Sequence, residues 1–234
     1  MKKIGLIGGM SWESTATYYK VINETVRKTL GGLQSAECLL YSVNFAEIER
    51  CQSLGLWSQS AEILIDASRR LELAGAEFIV ICTNTMHKVA PQIQLSIQVP
   101  LLHIADATAD ALIQSGIDKT ALLGTKYTMT EEFYKSRLQN KGIEVLVPDE
   151  AEIDYVNSVI YNELCLGIIS AKSKEKYLHI LELLAERGAK GAVLGCTEIG
   201  LLIGRDDSNL PLFDTTIIHA EKAARIAMGI DSII

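Results

Sequence analysis

The segments AGAEFIVICTNT (74–85) and RGAKGAVLGCTE (187–198) say nearly the same thing twice. Each runs from Gly-Ala through an apolar stretch into a small polar cluster, and superposing them sets Thr83 against Cys196. The Gly-Ala step reads as the end of a helix and the apolar stretch as a buried strand. The polar cluster then falls at the strand's C-terminal end, where open α/β sheets place their ligands. Two such ends facing one cleft would set a hydroxyl and a thiol on opposite sides of one small molecule, as two-base proton transfer requires.

The repetition continues outward. KKIGLIGGM (2–10) and KTALLGTKY (119–127) are both strands that end in a Gly-containing turn, and VPLLHIADATADAL (99–112) matches LPLFDTTIIHAEKA (210–223) as a Pro-led strand followed by a helix. In that last pair His103 falls opposite Asp214. Three matches in the same order predict two similar lobes related by a pseudo-twofold axis. Further strands are expected at CLLYSVNF (38–45) and IEVLVP (143–148). Helical periodicity marks 14–30, 57–74, 105–115, 131–140, 152–167 and 172–187. Strands alternating with helices predict an α/β fold with mainly parallel sheets, and the near-continuous apolar strands predict helices over both faces.

A hydrophobic content of 48% in 234 residues is ample for two small lobes or one larger core. The net charge of −7 disfavours a nucleic-acid partner, which would select a basic surface. No apolar run approaches the roughly 18 residues of a membrane span. The opening MKKIGLIGGM enters a strand rather than a cleavable signal, so the chain is expected to be cytoplasmic. Cys38, Cys51, Cys82, Cys165 and Cys196 are scattered and odd in number, as reduced thiols rather than a disulfide framework would be.

Cys196 closes a strand at the start of an expected helix, where orphan amides and the dipole would lower a thiol from its reference pKa of about 8.5. Strand alternation keeps Cys82 and Thr83 from pointing the same way, and the repeat selects Thr83. A hydroxyl needs an activating neighbour to act as a base. Asn84, Thr85 and His87 are close in sequence, and none is an obvious strong base. The turn Gly8-Gly9-Met10-Ser11 could hold a substrate carboxylate on backbone N–H groups, with Glu13, Ser14 and Thr15 as ordinary helix-start residues. It is not a dinucleotide fingerprint. His87 and His103 could assist proton transfer or be satisfied structural groups, and the four histidines lack metal-ligand spacing. Arg50, Gln52, Lys88 and Lys126 flank strand ends and could meet a second carboxylate.

CTNTMH (82–87), GCTEIG (195–200) and IGLIGGMSWEST (4–15) resemble the signatures of the aspartate/glutamate racemase family, and the likeness runs along essentially the whole chain. The resemblance implies a cofactor-independent, two-lobed, commonly dimeric racemase of free amino acids, with two cysteines at the lobe interface exchanging roles as acid and base. Cys196 matches the second cysteine, and Thr83 stands where the first usually is, as in the branch that uses a Thr/Cys pair. It implies that Asn84, Thr85, Thr197 and backbone groups beside Cys196 hold the α-carboxylate, with Glu198 also among the substrate-binding residues. Met10, Gln52 and Thr125 would line the rest of the pocket. It further implies that strands are exchanged, giving lobes of 1–98 plus 210–234 and of 99–209. No metal, pyridoxal phosphate or other cofactor is expected, and the partners are an amino-acid substrate and a second copy of the chain.

Three other readings fit the same residues. One is an enzyme of the same superfamily with a single thiol, such as a hydantoin racemase or decarboxylase, in which Thr83 only binds. Another is a non-catalytic amino-acid sensor, and the weakest is a flavodoxin-like nucleotide binder.

Overall fold

The computed structural model describes residues 1–233. Its first sheet is built from β1 (Ile4–Gly8), β2 (Cys38–Ser42), β3 (Phe78–Ile81) and β4 (Leu101–Leu102), in the order β2-β1-β3-β4 with every pairing parallel. The second sheet is β5 (Lys119–Gly124), β6 (Glu144–Leu146), β7 (Gly191–Gly195) and β8 (Leu212–Asp214), in the order β6-β5-β7-β8, again all parallel. The expected α/β architecture and its internal duplication are therefore both present. Each of the three sequence matches falls on equivalent strands: β1 with β5, β3 with β7, and β4 with β8.

The helices along the first half are α1 (Trp12–Leu30), α2 (Phe45–Ser53), α3 (Trp57–Leu73), the short α4 (Ala90–Gln94) and α5 (Ile104–Gln114). The second half adds α6 (Lys126–Thr130), α7 (Glu132–Gln139), α8 (Glu150–Asn162), α9 (Ala171–Glu186), α10 (Ile199–Leu202) and α11 (Thr215–Ala227). Helix α2 was not expected. Its cap is Asn44, whose Oδ1 accepts from the Ala46 amide at 3.2 Å, so the apolar run from Cys38 stops being a strand three residues early.

Strand alternation sorts the core. Ile7, Ile79 and Ile81 pack with Ile48, Leu64 and Leu71 on one face of the first sheet, while Ile4, Leu6, Phe78, Val80 and Cys82 pack with Tyr18, Ile22 and Ala223 on the other. In the second sheet Ala121, Leu123, Ala192, Leu194 and Cys196 share a cluster with Val156, Tyr177, Ile180 and Leu184 of α8 and α9.

The chain divides into two units, 1–104 with 219–234, and 105–218. This corrects the expected exchange of strands. Leu101 and Leu102 pair with Ile79 and Val80 of β3, and Leu212 to Asp214 pair with β7, so each edge strand stays with its own sheet. The helices that follow them cross instead. Helix α5 is tied into the second unit, where Asp106 meets Arg137 at 2.6 Å and Tyr134 donates to Thr108 at 3.1 Å. Helix α11 buries Ala220, Ala223 and Ala224 against α1 and β1 in the first. The edge strands are held by backbone ladders, whereas α5 and α11 are held by side chains, and it is these side-chain contacts that the exchange follows.

Candidate functional site

In the first unit β3 ends at Ile81, and the Cys82 amide adds one more ladder bond to the Ile7 carbonyl at 2.9 Å. Cys82 is fully buried with Phe78 and Val80, and burial pushes its thiol far up, which makes it an inert core residue. Thr83, on the other row, is half-buried at the start of the loop. A 3-10 turn (Thr85–Val89) follows and folds His87 back so that Nδ1 lies 2.8 Å from the Thr83 carbonyl. Asn84 and Thr85 are buried beside it. Among the described residues the Thr83 hydroxyl makes no hydrogen bond.

Gln52, near the end of α2, donates from Nε2 to Met86 Sδ at 3.1 Å, and Met10 is buried in the same cluster as Met86. Met86 was not singled out in the sequence. The first Gly turn is less open than expected, because the Gly9 amide donates to Thr15 Oγ1 at 2.9 Å. That hydroxyl in turn donates to the Ser11 carbonyl, and Ser11 caps α1 through the Ser14 amide. Ser14 and Thr15 are helix-start residues, and Glu13 is exposed.

In the second unit β5 and β7 converge on two glycines. A Cβ on Gly124 would lie 2.8 Å from the Gly195 carbonyl oxygen, and one on Gly195 would lie 2.9 Å from that of Leu123. Just beyond this paired position come Thr125 and Cys196. Thr125 caps α6, accepting from the Thr128 amide. Cys196 Sγ donates to Glu198 Oε2 at 3.0 Å, and Thr197 Oγ1 donates to the same oxygen at 2.6 Å.

That geometry overturns the expected low thiol pKa. Burial pushes the Cys196 thiol well above its ordinary value, and the neighbouring Glu198 carboxylate pushes it further. The helix that was to lower it, α10, has four residues and so carries little dipole. At rest the group is a thiol held on a carboxylate. Glu198 can take its proton, and the thiolate so formed is a stronger base for having a high pKa.

Behind this pair lies Asp214 at the end of β8. Its Oδ1 accepts from the Thr216 amide at 2.8 Å and the Ile217 amide at 3.3 Å, and burial raises its carboxyl pKa, with Glu198 adding to the rise. Lys126 is paired with Asp154 at 2.6 Å, and Lys88 lies 3.8 Å from the centre of the Trp57 ring, so both cations are engaged within their own units. Arg50 is exposed. Among the described residues no three His, Cys, Asp or Glu side chains are grouped to hold a metal ion, and no helix is long and apolar enough to cross a membrane.

Residues 7–223 match the Asp/Glu/Hydantoin racemase family. The chain belongs to that family. A crystal structure from Yersinia pestis ascribed to an Asp/Glu racemase is 54% identical, with a TM-score of 0.92 over 97% of this chain and all of that one. An aspartate racemase homologue from Pyrococcus horikoshii OT3 is 40% identical, with a TM-score of 0.84 over the same shares. The broad specificity amino-acid racemase RacX of Bacillus subtilis is 23% identical over 98% of this chain and 100% of its own. The two-unit, two-sheet architecture is thus the racemase family's fold. Its paired strand ends are where this chain carries Thr83 and Cys196.

Proposed function

We propose that this racemase-family chain racemises free amino acids without pyridoxal phosphate, one of Thr83 and Cys196 removing the α-proton while the other protonates the opposite face. One observation carries the reading: Thr83 and Cys196 follow the last residues of equivalent strands in two sheets of identical order. Family membership supports it. In the proposed reaction, when Cys196 is the base, Glu198 first receives the thiol proton and the thiolate then takes the α-proton. Thr83 gives its own proton to the opposite face, and the site resets as Glu198 loses its proton to solvent and Thr83 regains one from solvent. Asn84, Thr85 and Thr197 hold the α-carboxylate, and their donors stabilise the carbanion's charge as it spreads onto the carboxylate. Met10, Gln52 and Thr125 line the remainder, and the working form is a cytoplasmic homodimer.

Aspartate and glutamate are the substrates we propose, supported by what the relatives at 54% and 40% identity are described as. A second reading, broad specificity, is favoured by the engagement of Lys126 and Lys88, which leaves fewer cations for a side-chain carboxylate. Screening D- and L-amino acids for α-proton exchange in deuterated buffer decides between them. The mechanism is tested by Cys196→Ser and Thr83→Ala: each should lose racemisation, and unaffected exchange and turnover in both would sink it.

A further inference from the structure

Three of the chain's four histidines are buried together in the first unit, with Tyr18. The His87 ring lies 4.5 Å from that of His103 and 5.6 Å from that of His219, centre to centre. Tyr18 Oη is 2.8 Å from His219 Nδ1, and His219 Nε2 is 3.0 Å from the Leu102 carbonyl. A carbonyl can only accept, so Nε2 of His219 carries the hydrogen and Nδ1 accepts from the tyrosine. Burial holds that imidazole neutral, its pKa lowered to about 3.

The same logic fixes His87. The Ile104 amide can only donate, and it lies 3.2 Å from His87 Nε2. Nε2 therefore accepts, the ring hydrogen sits on Nδ1, and Nδ1–H donates to the Thr83 carbonyl at 2.8 Å. The backbone explains why a ring is needed there. The β3–β4 ladder ends at the pair Val80 and Leu102, so the residues beyond it on both strands have no ladder partner across this pair. Buried backbone groups need partners, and the His87 ring spans the gap between the two strands. It bonds Thr83 on one side and Ile104 on the other, where the chain leaves the first unit.

We infer that His87 is a positioning residue for Thr83, holding the hydroxyl-bearing residue through its backbone carbonyl from the crossing at Ile104. The inference rests on the proposed role of Thr83 in racemisation. In this role His87 acts through the two bonds of its ring, its Nδ1 hydrogen given to the Thr83 carbonyl and its Nε2 lone pair taken up by the Ile104 amide.

Two substitutions separate the ring's two bonds. In His87→Asn the amide nitrogen stands near Nδ1 and keeps the donor to Thr83, while in His87→Gln the amide oxygen stands near Nε2 and keeps the acceptor for Ile104. Each loses one hydrogen bond, so the two should melt at similar temperatures. A purely structural role would leave them similarly active. Positioning predicts instead that His87→Gln loses about tenfold to a hundredfold in kcat at nearly constant KM, and that His87→Asn retains more turnover. Equal kcat in two folded variants, or greater loss in His87→Asn, would overturn it.

A readout independent of turnover is the nitrogen-15 spectrum of the wild-type histidines. His87 should be the neutral Nδ1–H tautomer and His219 the neutral Nε2–H tautomer, and an Nε2–H His87 would overturn the assignment. Amide hydrogen exchange over residues 83–85 should be faster in His87→Gln than in His87→Asn. If the wild-type chain racemises no amino acid, the proposed function fails, while the tautomer and the exchange rates still decide the role of His87.

Discussion

The Cys196 thiol donates to Glu198 Oε2 across 3.0 Å, and the same oxygen accepts from Thr197 Oγ1. One carboxylate therefore stabilises the protonated form of the thiol and offers the nearest place for its proton to go. The two effects pull a Glu198→Gln variant in opposite directions. With the negative charge gone the Cys196 pKa should fall, since that charge helps to raise it, so alkylation by iodoacetamide should have a midpoint at lower pH than in the wild type. Turnover should nevertheless drop by about a hundredfold, because an amide cannot take the proton. A variant that is both more readily alkylated and fully active would remove Glu198 from the proton path.

With a thiol as one proposed base and a hydroxyl as the other, the two directions of the proposed reaction are unequal. Racemisation has an equilibrium constant of unity, so kcat/KM must match for the two enantiomers, and the inequality has to appear as kcat and KM values that differ together. Thr83→Cys would restore two thiols and should bring the two kcat values toward each other. Equal kcat values for both enantiomers in the wild type, measured by polarimetry from each side, would contradict the asymmetry.

Buried His219 links stability to pH. Its pKa falls from 6.5 to about 3 on folding, so below about 6.5 the unfolded chain takes up a proton that the folded chain refuses. The stability due to the neutral form is present above that value. It is lost as the pH falls toward about 3, at no more than about 1.4 kcal/mol per pH unit. His219→Gln keeps a donor to Leu102 and cannot titrate, so it should be less stable at pH 7, having lost the acceptor for Tyr18, yet flatter between pH 7 and pH 5. Urea titrations at the two pH values provide the comparison, and identical slopes would refute the linkage.

What was legible in the sequence and what was not divides along physical lines. Runs such as EFIVICT and GAVLGCT could be read because a strand buried on both faces has nothing but apolar residues to show. Their doubling set Thr83 against Cys196, and the structure places each just past one of two equivalent strands, β3 and β7. The thiol's pKa was misread because helix ends are visible in sequence while burial is a tertiary property, and here burial is the larger effect. The Cys196–Glu198 and Thr83–His87 bonds arise within loops, where a spacing of two or four residues implies no contact until the turn is known. The strand exchange was misassigned because an edge strand of two residues, Leu101 and Leu102, reads the same whichever sheet it joins. The side chains that settle the matter, Asp106 with Arg137 and Ala223 against α1, are distant in sequence.

The position of Cys196 depends on how closely β5 and β7 approach, which is set by two residues without side chains. An alanine at 195 would bring its methyl to 2.9 Å from the Leu123 carbonyl oxygen and 3.0 Å from Leu122 Cδ1, and an alanine at 124 would lie 2.8 Å from the Gly195 carbonyl oxygen. The opposing oxygens are backbone and cannot swing aside, so the strands must part. Gly195→Ala should cost about 1–3 kcal/mol, the range for forcing an extra carbon into a packed interior. The strain falls one residue before Cys196 and two after the Val193–Leu122 pair, so the thiol should shift with the strand end and kcat should fall more than KM rises. Gly204 is the control: it is exposed, and an added Cβ would meet only Asp207 Oδ2 at 3.7 Å, an ordinary contact. Gly204→Ala should therefore melt and turn over like the wild type. If Gly195→Ala did the same, the close approach of the two strands would have no bearing on the thiol.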